Sequence, residues 1–453
     1  MSSATISDEN MGSLTPVNTL PSINMSPPRA SAEAASGSNK RKRGKFRENE
    51  RKKVSRVRAR GACARCRVYH LSCDLNFPCS NCVRVAESAT AFTQPCYHDP
   101  LDNVISFRMG NSRANQPQSQ LPLLRWAADE QTTRRIYVEF PFLGIPSSCR
   151  PRMPVDCRKF VPRDSDILED VWEGSDGDKL TLTFPPFACE EPEDLRASLE
   201  SYIEKCSGLL EHDLGMETAD VISAATFAEA QRYAQINHDS AVANALRIRI
   251  IAYFSRESMA IVGHESLGIP VVDDQRFPIY GQVPVPSVLD FQIDTTAIHI
   301  MTKLMEGATK RLKRVVFGRK NKQGWYEVYL TCFVLLESLE KVYSLQAYYS
   351  GINEHMGGNT FANISYTSRT MMDRWRYSAD NLLYHYRCIL RAMDPFSFAW
   401  DALGSVDDVA KANLDPEAVL YMQKMCKHLK EEREFFKVSR EEVVNGFTDD
   451  TSL

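Results

Sequence analysis

Five cysteines fall within the twenty residues CARCRVYHLSCDLNFPCSNC, Cys63 to Cys82, and a sixth follows at Cys96. The spacing is Cys63-x2-Cys66-x6-Cys73-x5-Cys79-x2-Cys82-x13-Cys96. Thiols can ligate metal, exchange disulfides or act as nucleophiles, and the spacing discriminates among these chemistries. A two-residue spacer turns the chain so that both sulfurs face one ion at about 2.3 Å. A lone Cys-x2-Cys is shared with thioredoxin-like redox sites, but here the pair repeats with further cysteines between and after, and no βαβ pattern surrounds it. The N-terminal MSSATISDENMGS is polar and acidic, without the apolar run of a secretory signal. The thiols are therefore expected in a reducing compartment, where structural disulfides are rare. Metal is the favoured reading. Four cysteines would fill one tetrahedral zinc, whereas six can hold two zinc ions if two sulfurs bridge them. His98, two residues past Cys96, is the alternative closing ligand.

The charge distribution points to a polyanion. Residues 40–60 carry twelve Lys or Arg against two Glu, a local net of +10, whereas residues 101–453 carry −11 and the whole chain only −3. A basic arm beside a cysteine cluster, joined to an acidic body, suggests a polyanion-binding end and a regulatory remainder, the other reading being a solvated basic tail. Lys40-Arg41-Lys42-Arg43 and Arg51-Lys52-Lys53 also fit a nuclear-localisation pattern.

The cysteine segment resembles the fungal Zn2Cys6 binuclear zinc-cluster transcription factors. The resemblance rests on A-C-x-x-C-R-x5-C-D-x3-P-C-x-N-C from Ala62 to Cys82, with Cys96. It implies two short helices flanking a loop around two zinc ions. Cys63 and Cys79 would bridge the metals, Cys66 and Cys73 would complete one, and Cys82 and Cys96 the other. Pro78 fits the turn of the inter-helix loop. Six thiolates and two zinc ions leave a formal −2, which Arg65 and Arg67 are placed to offset. The resemblance further implies a nuclear, sequence-specific DNA-binding transcription factor acting on RNA polymerase II genes. Double-stranded DNA would be its partner, with the transcription machinery or coregulators.

Two features depart from that pattern. Between the second and third cysteines the family usually carries a run of Lys and Arg. Here the segment is Arg67-Val68-Tyr69-His70-Leu71-Ser72, and a neutral His with single-donor Tyr and Ser replaces the paired cations. The final gap of thirteen residues is also longer than the usual six to nine. DNA contacts are accordingly expected from the arm (Arg56, Arg58, Arg60) and from Arg65, Arg67, Tyr69, His70 and Arg84, with strong salt dependence and weaker base discrimination. The other reading keeps the cluster as a zinc-dependent protein-interaction module in a coregulator with weakened base reading.

Around this module the expected organisation is a disordered segment 1–39, the basic arm 40–60, the zinc cluster 61–98, a linker and irregular region 99–188, a helical regulatory domain 189–440 and a disordered tail 441–453. The fold class is a small zinc cluster followed by a mainly α-helical domain. Leu195, Leu199, Tyr202, Ile203, Cys206, Leu209 and Leu210 recur at helical steps behind Pro192, and further helices are expected over 219–237, 240–255, 325–343, 371–393 and 416–436. A Pro-rich loop at 268–286 interrupts them, Asp415 is a candidate N-cap before Pro416, and RRIYVEFPF at 134–142 has weak strand character. Residues 99–133 lack a heptad seam, so monomeric binding, or a homodimer through the helical domain, is expected. No phosphate loop, dinucleotide fingerprint, nucleophile elbow or H-E-x-x-H is present, so no enzyme is expected. His264, His299 and His385 read as structural histidines, and the seven other cysteines as small apolar residues. The longest apolar run, VYLTCFVLL, is far too short to span a membrane.

Overall fold

A computed structural model describes residues 47–446, apart from short gaps of which the longest are 87–95, 109–123, 356–368 and 401–413. The chain divides into two units, residues 1–51 and 52–453. The expected disordered segment 1–39, with residues 40–46 of the basic arm, lies outside the described residues.

Three helices belong to the cysteine region: α1 (Glu48–Arg60), α2 (Ala64–Val68) and α3 (Ser80–Ala86). Gly61, at φ +84, ends α1 in the left-handed conformation that glycine adopts without a Cβ penalty.

The segment 99–188, expected as linker and irregular chain, is largely ordered in its described parts. Leu101, Val104, Ile105 and Phe107 are buried, and the Phe107 carbonyl accepts from Trp375 Nε1 at 3.1 Å. Beyond them lie β1 (Arg125–Trp126), β2 (Arg134–Glu139), β3 (Met153–Val161) and β6 (Phe187–Cys189), joined by β7 (Ala260–Val262) and β8 (Val283–Pro284). They form one sheet in the order β1-β3-β2-β7-β8, with β6 also on β3 and every pairing antiparallel. A separate hairpin joins β4 (Glu169–Glu173) to β5 (Lys179–Thr183). In β3, Met153, Val155 and Cys157 are buried while Pro154, Asp156 and Arg158 are less so, the period of two that a half-buried strand requires. Short strands between prolines conceal that period in the sequence.

The helices pack on this sheet. They are α4 (Pro192–Met216), α5 (Val221–Ile236), α6 (Ala241–Phe254), α7 (Ser287–Val316), α8 (Trp325–His355), α9 (Arg369–Leu390) and α10 (Pro416–Gly446). Helix α10 continues past the expected boundary at 440, and 447–453 lie outside the described residues. Helix α6 is buried on nearly every side and touches α5, α7 and α8. Asp415 caps α10 by accepting from the Ala418 N–H at 2.9 Å. Helix α7 was not expected from the sequence. Its buried residues include Val288, Leu289, Phe291, Ile293, Ile298, Ile300, Met301, Met305 and Leu312, while Lys303, Glu306, Lys310 and Arg314 are exposed.

One contiguous core unites sheet and helices, centred on side chains such as Trp325, Tyr202, Phe227 and Phe254. Cys157, Cys189, Cys206, Cys332, Cys388 and Cys426 are buried within it as small apolar residues, whereas Cys149 is exposed. His385 is buried, while His264 and His299 are exposed. Among the described residues no helix is long and apolar enough to cross a membrane. Asp220 caps α5, its carboxylate accepting from the N–H groups of Ile222 and Ser223, both at 3.0 Å. Asp220→Ala should lower unfolding stability by about 1 kcal/mol, read from a shifted urea midpoint at unchanged slope.

Candidate metal centre and nucleic-acid interface

The six sulfurs converge into two groups, Cys63-Cys66-Cys73-Cys79 and Cys63-Cys79-Cys82-Cys96, with the ligand atoms of each within 4.8 Å of one another. Cys63 and Cys79 belong to both. The spacings are 3.9 Å between Cys63 and Cys79, 3.6 Å between Cys63 and Cys82, and 3.6 Å between Cys66 and Cys79. A disulfide needs about 2.05 Å. The edge of a tetrahedron of sulfurs at about 2.3 Å from a central ion is about 3.8 Å, so the donor set fits two zinc ions sharing two thiolates. Cys96 stands in the second group, and His98 lies outside it with Nε2 3.6 Å from Cys96 Sγ.

Protein groups hold the sulfurs in place. Cys63 sits at the N-cap of α2 and its Sγ accepts from the Cys66 N–H at 3.4 Å. The Cys79 N–H points at Cys96 Sγ at 3.3 Å. Asp74 fixes the intervening loop, accepting from the N–H groups of Asn76 and Ser80 at 3.1 Å each and from the Ser80 hydroxyl. Asn81 donates to the Ser72 carbonyl at 2.7 Å, and Arg65 donates to the Asn81 carbonyl at 3.0 Å. The Asp and Asn of the C-D-x3-P-C-x-N-C pattern thus carry a structural duty that spacing alone did not reveal.

Burial pushes the Cys66 thiol up to about 11 and raises Cys63, Cys82 and Cys96 as well. For Cys79 burial acts in the same upward direction, but the Cys82 N–H and neighbouring thiols outweigh it and bring Cys79 down to about 7. The four raised thiols keep their protons at neutral pH unless a cation replaces them, which is the charge a pair of zinc ions supplies.

The residues expected to meet DNA are placed unequally. Arg56, Arg58 and Arg60 are exposed on α1, and Arg67, His70 and Arg84 are exposed around the cluster. Arg65 is buried, its guanidinium 5.0 Å from the Tyr69 ring centroid, and Tyr69 is half-buried. His70 explains part of the unusual run RVYHLS. It has φ +55 and terminates α2 in a Schellman pattern, with the His70 N–H directed to the Arg67 carbonyl at 3.3 Å and the Leu71 N–H to Cys66 at 2.8 Å.

That pattern leaves the Val68 carbonyl without an intrahelical partner, and the helical body supplies one. Asn321 Nδ2 donates to it at 2.9 Å and Arg391 at 2.5 Å, while Arg391 also donates to Asn321 Oδ1 at 3.1 Å. Arg67 lies 3.8 Å from the Phe317 ring centroid and Arg391 lies 4.9 Å from that of Tyr69. Tyr97 stacks on Tyr384 with ring centroids 4.6 Å apart, and Ala64, Val68 and Tyr97 join the core of the body. None of Phe317, Asn321, Tyr384 or Arg391 carries a sequence signal for this role, because each is paired with the cluster only through the fold.

Comparison with known proteins gives two matches to family models. Residues 61–95 match the fungal Zn(2)-Cys(6) binuclear cluster domain, stopping one residue before Cys96, and residues 126–450 match the KpeA transcription factor family. The second match covers well over half of the chain. Among curated proteins the chain is 28% identical over 401 residues to the satratoxin biosynthesis SC3 cluster transcription factor SAT20 of Stachybotrys chartarum. The aligned region is 88% of this chain and 55% of that relative's length. No solved structure matches.

Proposed function

The chain belongs to the KpeA transcription factor family and carries a fungal Zn(2)-Cys(6) cluster, and from this premise we propose that it binds duplex DNA in the nucleus as a zinc-dependent transcription regulator. The observation that carries the proposal is the convergence of six cysteines into two groups sharing Cys63 and Cys79, directly beside an exposed basic helix. Cys63, Cys66, Cys73, Cys79, Cys82 and Cys96 hold two zinc ions. Arg56, Arg58 and Arg60 contact phosphates, joined by Arg67, His70 and Arg84 at the cluster. Arg65 and Tyr69, which pair within the protein, serve the architecture. The acidic helical body passes the signal to coregulators or the transcription machinery, and any homodimer forms through it.

Selection of duplexes from a randomised pool with the zinc-loaded full chain tests the proposal. An enriched motif is expected, with log K falling linearly in log salt. Replacing Arg56, Arg58 and Arg60 together by Ala should flatten that slope by roughly 2 to 3, since each phosphate contact contributes about 0.9. A full complement of zinc with no enriched duplex would defeat the proposal.

A further inference from the structure

Helix α2 ends where a Zn(2)-Cys(6) protein is expected to meet base edges, yet here that end is occupied from both sides. Its cysteine-bearing face is committed to the cluster through Cys63 and Cys66. Its other face, Ala64 and Val68, is buried in the body's core and packs on α9. The major groove is about 12 Å wide and admits one helix of about 10–12 Å diameter. Two packed helices, with axes about 8–10 Å apart, span nearly 20 Å. Helix α2 cannot enter a groove while α9 lies against it.

The contact is built as a specific latch rather than as general apolar packing. The last carbonyls of a helix carry its negative dipole end and need partners. In α2 the open carbonyl is Val68, and it receives both a neutral donor, Asn321, and a cationic one, Arg391. Arg391 also lies over the Tyr69 ring, and Phe317 takes the Arg67 guanidinium, so both side chains flanking Val68 are engaged. Asn321 is buried and also donates to the Val316 carbonyl at 3.1 Å, which anchors it to the end of α7. Cys388 is fully buried on the same stretch of α9, where burial pushes its thiol up to about 12 and the Arg65 charge bears on it.

We infer that the surface formed by Phe317, Asn321, Tyr384 and Arg391 is an intramolecular docking site for α2 that competes with DNA for the same helix end. The inference rests on the DNA-binding reading above. The chain in this state presents phosphate-binding cations on α1 while withholding base readout, and full DNA recognition requires α2 to leave the body.

The test uses the zinc-loaded full chain and the duplex pool with a randomised centre. Arg391→Ala and Asn321→Ala should each bind duplex about tenfold more tightly than the wild type, within the range usual for a coupling between sites. The direction is diagnostic, because removing a cation such as Arg391 would by itself weaken binding to a polyanion. Alkylation of Cys388, followed by peptide mass spectrometry, gives a second readout that needs no variant. Duplex should raise its labelling in the wild type while Cys206 and Cys332 stay protected, which shows the body still folded. Unchanged or weaker affinity in both variants, with Cys388 equally protected with and without duplex, would overturn the latch. If neither wild type nor variants bind any duplex, the DNA-binding reading itself fails and the latch falls with it.

Discussion

Serine in place of Cys63 or Cys79 is expected to empty both metal positions, whereas serine in place of Cys73 or Cys96 should remove about one zinc. The asymmetry follows from geometry. Cys63 and Cys79 are the two sulfurs common to both four-cysteine groups, while Cys73 and Cys96 each belong to one. Losing a shared thiolate leaves three donors at each ion; losing an unshared one leaves the other tetrahedron whole. Structural zinc contributes about 10–16 kcal/mol to modules of this size, and the six cysteines form their own small cluster, separate from the main core. The local fold around residues 61–98 should therefore collapse with the metal. The body should not, since α4 to α10 rest on a core that contains none of the six ligands. Zinc per chain, measured on purified variants, should read about two in the wild type, near zero in Cys63→Ser and Cys79→Ser, and near one in Cys73→Ser and Cys96→Ser. Far-ultraviolet ellipticity should change little across the set. Equal zinc loss in all four variants would show that the sulfurs are not shared in this way.

How far the sequence alone reached is instructive residue by residue. The ligand groups were legible because metal geometry writes itself into spacing: Cys-x2-Cys places two sulfurs on one ion whatever the surrounding fold does. The helices at 192, 325 and 416 were legible through apolar residues at three- and four-residue steps, two of them behind a proline, and those at 221 and 241 through the break Asn237-His238-Asp239-Ser240 between them. Helix α7 was missed although Lys303, Glu306, Lys310 and Arg314 are exposed between its buried positions; its start directly behind the Pro-rich loop hid it. The sheet was hidden for another reason. Strand β2 pairs with β7 more than a hundred residues later, with Tyr137 opposite Val262, and β8 closes the edge from within the Pro-rich stretch. Pairing at such separation leaves no local mark beyond a few alternating residues. The run RVYHLS shows the same limit in the site. Sequence comparison marked it as short of cations, and that remains true. What it could not show is that Val68 and Tyr69 face a protein surface, because that depends on Asn321 and Arg391 some 250 to 320 residues away; the termination at His70 is local, but a non-glycine residue there gives no sequence mark for it.

The interface between cluster and body also sets how the protein should respond to acid. His385 is buried on α9 with its ring edge-on to Tyr97 and Phe317, centroids 6.1 and 5.8 Å away, and its Nδ1 is 2.9 Å from the Asn381 carbonyl. Burial lowers its pKa from 6.5 to about 4; the Arg67 charge acts in the same direction, and the Asn381 carbonyl and Asp99 act against it. The folded imidazole is therefore neutral where an unfolded one is charged. Between pH 6.5 and 4 the unfolded chain binds more protons at this residue, so stability falls as pH is lowered across that window. Above 6.5 the contribution is constant, and below about 4 the loss is complete. A difference of this size corresponds to on the order of 3 kcal/mol. Zinc thiolates also take up protons in mildly acid solution, so wild type alone cannot isolate the histidine. His385→Gln removes the titration while keeping a polar group that can reach Asn381. With zinc in excess, urea midpoints at pH 7 and pH 4.5 should differ less in the variant than in the wild type, by most of that 3 kcal/mol. Parallel losses in the two proteins would show that His385 does not govern the acid response, and would shift the explanation to the metal ligands.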